Sequence, residues 1–441
     1  MDSHAQFADP DAHLSSLSGA SLVQRFGRVV RVMPTYIEAT GLAVPVGGLC
    51  RVAGRVLAEV SRVDVKTVTL ALFHAADGIR VGDRVDLVND DGHVSTGDGI
   101  LGRVVDPLGL PLDGLGPLKG VERSWPVTGR PVGPLERLPP EQIFETGIRA
   151  IDTLLTLGVG QRIGVFAGSG VGKTTLLAGL SAHADADVCV FCLVGERGRE
   201  VHEFWTGMRS SGSLSRAVLI AATSDQSAML RVRAVWAALA HAEYFRAQGK
   251  RVLLVLDSIT RFALALREIG LAAGEPPTIR AYTPSVFAQL PRVVERCGAV
   301  DGQGAITAVM TVLAETDDVD DPMSETMRAL LDGHIVLTRN LAEQGHYPAI
   351  DIPRSISRVF RAVVPEQERM IAVDAIGQLS LYDMSRTLIE AGIYVPGSQP
   401  ALDRALSLRP KLLAFLRQDL NKPESRREAL AALRRIEGLN P

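Results

Sequence analysis

Ala167-Gly168-Ser169-Gly170-Val171-Gly172-Lys173-Thr174 follows directly on the apolar stretch Ile163-Gly164-Val165-Phe166. An apolar strand running into a glycine-rich turn that ends in Lys-Thr is where a phosphate-binding loop forms. The glycines let backbone N–H groups converge on phosphate oxygens without Cβ clashes. Lys173 brings a point charge to the β/γ-phosphates, and the Thr174 hydroxyl can take a place on Mg²⁺. The first position is Ala167 rather than glycine, which leaves the tight-turn glycines and the Lys-Thr pair in place. Thr175-Leu176-Leu177-Ala178 then opens a helix. Beyond it, helical patterns alternate with apolar runs at 188–194, 217–222, 252–256, 305–312 and 335–337. Such alternation implies a mostly parallel sheet with helices on both faces and a site at the C-terminal ends of its strands.

On the N-terminal side of this core, residues up to about Ser21 are polar, with Pro10 and clustered Ser and Asp, and residues 1–23 read as a mobile tail or short docking helix rather than core. Residues 24–97 carry short β-branched runs at close spacing, among them Gly27-Arg28-Val29-Val30-Arg31-Val32 and Val65-Lys66-Thr67-Val68-Thr69-Leu70. These predict a small β-barrel. The density of Gly and Pro between 98 and 140 predicts a linker wrapping the nucleotide-binding domain, which runs to 366. Leu, Ala, Arg and Glu at helical spacing then predict a helical domain over 367–441, interrupted near Val395-Pro396-Gly397.

A chain of 441 residues is too long for one ordinary core. Its net charge of -3 provides no global field to pull it onto nucleic acid or acidic lipid. Met1-Asp2-Ser3-His4-Ala5-Gln6 lacks a basic lead and an apolar segment, and no apolar run approaches the ~18–20 residues that span a bilayer. The expectation is a cytosolic protein. Four cysteines cannot frame a fold of this size. Cys189 and Cys192 form a C-x-x-C inside an apolar strand, where positions three apart face opposite sides of a sheet, so strand packing is expected rather than a shared metal.

Hydrolysis requires, besides the loop, an acid on the metal side and a group that aims a water. Lys250-Arg251-Val252-Leu253-Leu254-Val255-Leu256-Asp257 is an apolar strand ending in a carboxylate, the form of a Mg²⁺-side acid; a helix N-cap is the other role open to Asp257. Leu193-Val194-Gly195-Glu196-Arg197-Gly198-Arg199-Glu200 also places a carboxylate past an apolar strand. Glu196 there can orient or deprotonate a water, although the same charges could form a solvated ion-pair loop. Tyr347-Pro348-Ala349-Ile350-Asp351-Ile352-Pro353-Arg354-Ser355-Ile356-Ser357-Arg358 is a rigid, proline-set loop carrying an aromatic and two arginines.

From Pro348 to Ser357 that loop matches the signature of the rotary ATPase α/β family. With Gly195 to Glu200, Asp257 to Ala263, Arg267 to Pro277 and Pro284 to Ala288, the chain resembles a flagellar or type III secretion export ATPase over roughly residues 24 to 440. The stretch Arg267 to Pro277 resembles the export branch rather than the synthase branch. The resemblance implies a RecA-like P-loop core, a homohexamer, ATP as substrate and Mg²⁺ as cofactor. It assigns Gly168, Ser169, Gly170, Val171, Gly172, Lys173, Thr174 and Thr175 to the phosphates, and Thr174 and Asp257 to the metal. It makes Glu196 the catalytic carboxylate, brings Arg197 to the γ-phosphate, and makes Arg358 an arginine finger offered to the neighbouring subunit. Tyr347 falls where the family stacks an aromatic near adenine; a core tyrosine is its other reading. Ala281 stands where relatives usually carry Gly.

The implied partners are stator and stalk proteins of an export apparatus, its membrane gate and substrate-chaperone complexes, with peripheral membrane association only. A catalytic subunit of a proton-translocating synthase is the alternative. A Rho-like RNA helicase would want exposed aromatics and a basic groove, against 5% aromatic residues and an acidic balance. A non-hydrolysing ring subunit would lack the carboxylate at Glu196.

Overall fold

Val, Leu and Ala alternating with polar residues close the first part of the chain on itself. In the computed structural model, which describes residues 26–89, 92–313 and 321–438, six strands form a closed barrel. They are β1 (Phe26–Val32), β2 (Tyr36–Thr40), β3 (Leu49–Val52), β4 (Val56–Val63), β5 (Val68–Leu72) and β6 (Arg84–Asn89), in the order β1-β2-β5-β4-β3-β6. Period-2 burial turns Ile37 and Ala39 of β2 and Val56, Ala58 and Val60 of β4 inward, onto a core with Val29, Val52, Leu70 and Val85. The expected tail, residues 1–23, lies outside the described residues.

The chain divides into two compact units at 91/92. The second is built on a ten-stranded, mostly parallel sheet. Its central order is Gly333–Leu337, Arg162–Ala167, Ala305–Leu313, Arg251–Asp257, Val188–Glu196 and Ala217–Thr223, all parallel. These strands are largely apolar because both faces are covered; every residue of Val188–Glu196 is buried. Cys189, Phe191 and Leu193 face one layer, with Leu176, Leu177 and Leu180 of helix Lys173–His183. Val190, Cys192 and Val194 face the other, with helices Ala228–Ala247, Ile259–Ala272 and Pro284–Val294. The two thiols therefore point to opposite faces, and burial pushes that of Cys189 up to about 11, far from redox or metal chemistry at neutral pH.

The segment expected as a linker adds to the sheet: Val104–Val105 pairs beside Ala217–Thr223, and Arg137–Leu138 pairs with Gly298–Val300. The C-terminal helices Glu366–Glu390, Pro400–Leu416 and Arg426–Ile436 are not set apart from the sheet. Ile371, Ala375, Leu379, Leu412, Phe415 and Leu433 join its hydrophobic core. Ala281, like Arg280 before it, holds a left-handed backbone (φ 60° and 52°), so this chain keeps at Ala a conformation that costs about 1–2 kcal/mol relative to glycine.

A buried ion pair ties the linker to this unit. Arg296, 1% exposed, donates to both carboxylate oxygens of Glu243 at 2.7 Å and to the Val127 carbonyl at 2.8 Å. Removing the cation strands a buried carboxylate, so Arg296→Ala is expected to lower unfolding free energy by about 3–5 kcal/mol, read by urea denaturation. A loss no larger than that of an exposed arginine control would contradict this reading.

Candidate active site

Three strands end at one place and carry the charges. The loop Gly168–Gly172 leaves the end of Arg162–Ala167 and enters the helix Lys173–His183, whose N-terminal amides and dipole favour an anion. Ser169, Gly170, Thr174 and Thr175 are exposed and Val171 is buried beneath them. Asp257 closes its strand one place beyond Ala305–Leu313 in the sheet, and Glu196 closes the next strand over. Parallel register sets Asp257 opposite Leu193, so the longer glutamate strand carries Glu196 past it.

The side chains converge. Lys173 Nζ lies 2.5 Å from Asp257 Oδ1 and 3.2 Å from Glu196 Oε1. Glu196 and Asp257 are 5% and 4% exposed, and burial at this level requires partners for each charge. Thr311, from the strand between them and the P-loop strand, donates to Asp257 Oδ1 at 2.6 Å and fixes that carboxylate. Arg261 meets Glu196 Oε2 at 3.0 Å and donates to the Gly195 carbonyl. Two carboxylates thus face two cations. Gly195 has φ +66°, a backbone that favours glycine, and a Cβ there would lie 3.0 Å from Arg261 Cδ, crowding the side chain that reaches Glu196.

Among the described residues no group of three or more His, Cys, Asp or Glu could hold a metal by itself. The donors present suit Mg²⁺ nonetheless: one buried carboxylate, Asp257, and one exposed hydroxyl, Thr174, are hard oxygen ligands of the kind that leave the remaining positions to water and substrate phosphates. Lys173 Nζ already places a positive charge against Asp257.

Of the remaining predicted residues, Arg197 is exposed beside Glu196, at the N-cap of helix Gly198–Ser210. Tyr347 is 44% exposed, which removes the core reading, and its ring stands 3.2 Å from where a Gly172 Cβ would be. Arg358 joins none of the contacts around Lys173. It follows the edge strand Ile356–Ser357, and its Nη2 donates to the Arg328 carbonyl at 3.0 Å. Sequence reading gave no role to Arg261 or Thr311. Arg261 could have been found as the residue three past Ser258, whose hydroxyl caps the helix after Asp257; Thr311 lies unmarked within an apolar run. A cavity of about 540 Å³ opens from the phosphate loop at Ala167, Gly168 and Val171 towards Leu379, Asp383, Arg386 and Arg409, and its lining includes neither Lys173, Glu196 nor Asp257.

A phosphate loop whose lysine meets two strand-end carboxylates defines a P-loop nucleoside triphosphate hydrolase. The comparisons specify which. Residues 147–357 match the nucleotide-binding domain of the ATP synthase alpha/beta family, and residues 364–435 match the C-terminal domain of the type III secretion ATPase EscN. The chain belongs to the ATP synthase alpha/beta family, in its branch of flagellar and type III secretion ATPases. It is 44% identical to the flagellum-specific ATP synthase of Bacillus subtilis, covering 94% of this chain and 96% of that protein. It is 43% identical to a type 3 secretion system ATPase of Pseudomonas syringae pv. tomato, covering 97% of each. The assembled ATPase EscN of enteropathogenic E. coli superposes with a TM-score of 0.88 at 40% identity, over 93% of this chain and 99% of that one. EscN in complex with its central stalk EscO gives 0.87 at 39% identity, with the same coverage. The EscN-type C-terminal match favours the export reading over the proton-translocating synthase. Among the described residues no helix is long and apolar enough to cross a membrane.

Proposed function

We propose that the chain hydrolyses ATP at a site completed by a second copy of itself, in a homohexamer that energises protein export through a flagellar or type III secretion apparatus. The observation that carries this is the convergence of Glu196 and Asp257 on Lys173 from neighbouring parallel strands. The backbone of Gly168–Gly172, Lys173, Thr174 and Thr175 bind and orient the triphosphate. Thr174 and Asp257 would hold Mg²⁺, which would supply neutralising charge beside the phosphate oxygens. Glu196 orients the attacking water and takes its proton; Arg261, 3.0 Å from Glu196 Oε2, holds the carboxylate in place. Arg197, exposed at the mouth, reaches the γ-phosphate, and Tyr347 stacks near adenine. Arg358, remote from its own chain's cluster, neutralises developing charge in the neighbour's site.

The proposed ring follows the likeness to the assembled EscN, and a central stalk such as EscO would sit against it. Stator proteins, the membrane gate and substrate-chaperone complexes complete the proposed partners, with the ATPase on the cytoplasmic side and only peripherally at the membrane. Phosphate release per protomer, followed against protein concentration, is expected to rise steeply as rings assemble. Turnover per protomer that stays constant down to the monomer would reject a shared site.

A further inference from the structure

The edge strand that presents Arg358 is two residues long, Ile356–Ser357, and pairs only through Gly333↔Ser357 and His334↔Ile356. Two ladder pairs at a sheet edge do not fix a side chain that must reach another molecule. What fixes it is a buried polar knot. Ser357 Oγ donates to the Thr156 carbonyl at 2.9 Å and accepts from Gln161 Nε2 at 3.1 Å. The same Nε2 donates to the Asp332 carbonyl at 3.1 Å, and Gln161 Oε1 accepts from the Gly158 N–H at 2.9 Å. The Arg358 N–H donates to that Asp332 carbonyl at 2.9 Å. Gln161 is fully buried and Ser357 nearly so. Gly333 lets the strands close up: its φ is +150°, and a Cβ there would lie 2.3 Å from the Ile356 carbonyl oxygen.

We propose that Gln161 and Ser357 are positioning residues for Arg358, and that through them the finger a protomer offers its neighbour is tied to that protomer's own phosphate loop. This rests on the reading that Arg358 acts across the subunit boundary. The tie is physical: Gln161 immediately precedes the strand Arg162–Ala167, whose other end is the loop. Six residues of strand span about 20 Å and are held on both sides by parallel neighbours, so the element moves as a unit. Asp332 strengthens the joint, accepting from Arg162 N at 3.0 Å, Nε at 2.8 Å and Nη2 at 2.8 Å. A displacement of the loop on nucleotide binding is therefore passed to the strand's start, where the finger is anchored.

A double-mutant cycle on the full-length ring-forming protein tests this, with phosphate release, ATP affinity and thermal unfolding measured on each variant. Ser357→Ala removes the hydroxyl at the centre of the knot without touching substrate. It is expected to lower kcat by about ten- to a hundredfold, the scale of an ångström-level misplacement, with KM for ATP unchanged. In an Arg358→Ala background the same substitution is expected to cost nothing more. An equal loss in both backgrounds, or a kcat unchanged from wild type, overturns the inference while leaving the finger intact. Wild-type turnover in Arg358→Ala alone overturns the shared-site reading and this inference with it. Should Ser357→Ala fail to fold, the near-isosteric Gln161→Met removes the amide from the other side of the knot and is judged by the same cycle.

Discussion

Glu196→Gln is expected to bind ATP as tightly as the parent and to lose about 10²–10⁴-fold in turnover, the range a positioned general base supplies. The amide keeps the shape of the buried carboxyl and an oxygen for one of its two cations, but cannot take a proton from water. Lys173 and Arg261 each lose part of an anionic partner, which leaves the site more positive and favours triphosphate. Binding and turnover should therefore move apart. Titration calorimetry with ATP and Mg²⁺ gives the affinity and steady-state phosphate release gives the rate. An unchanged rate rejects the role assigned to Glu196, and a lost affinity would show instead that the carboxylate holds the site together.

The larger effect is expected at a residue that touches nothing in its own site. Arg358→Ala should lower turnover by about 10³–10⁵-fold, the usual worth of an arginine finger, while sparing ATP affinity and ring assembly. The basis is where the chain puts it: at the sheet edge, two strands from the phosphate-loop strand and outside the contacts around Lys173. On the proposed reading, an arginine placed there serves the triphosphate of another copy. Light scattering establishes assembly and phosphate release reports the loss. A variant that assembles and turns over like wild type removes the finger from the account.

The apolar runs before the Lys173 loop, before Asp257 and before Glu196 read as strands, and strand ends in a parallel sheet gather at one edge; for Glu196 that spacing left an ion-pair loop equally open, and the family resemblance chose between them. What periodicity cannot give is the partner across a sheet. Arg261 reaches Glu196 only because the helix that follows Asp257 starts beside the end of the neighbouring strand, and Thr311 reaches Asp257 only by lying on the strand beside it. Tyr347 carried two readings until its exposure and its place over Gly172 were known. The C-terminal helices show the same limit. Their spacing identified an apolar face, but that face meets the core of the sheet, not a core of its own. The segment 98–140 read as linker because Gly and Pro break it often, yet it still holds two-residue strands too short to register as periodic.

Mixing Glu196→Gln chains with Arg358→Ala chains reaches the central claim most directly. Each variant alone is nearly inactive, one lacking the carboxylate and the other the finger. If the site is shared, an Arg358→Ala protomer whose neighbour is a Glu196→Gln protomer regains both groups, and phosphate release from the mixture should rise well above the sum of the separate variants. Mixed rings, verified to assemble as wild type does, that release no more phosphate than that sum would contradict a site built from two copies of the chain.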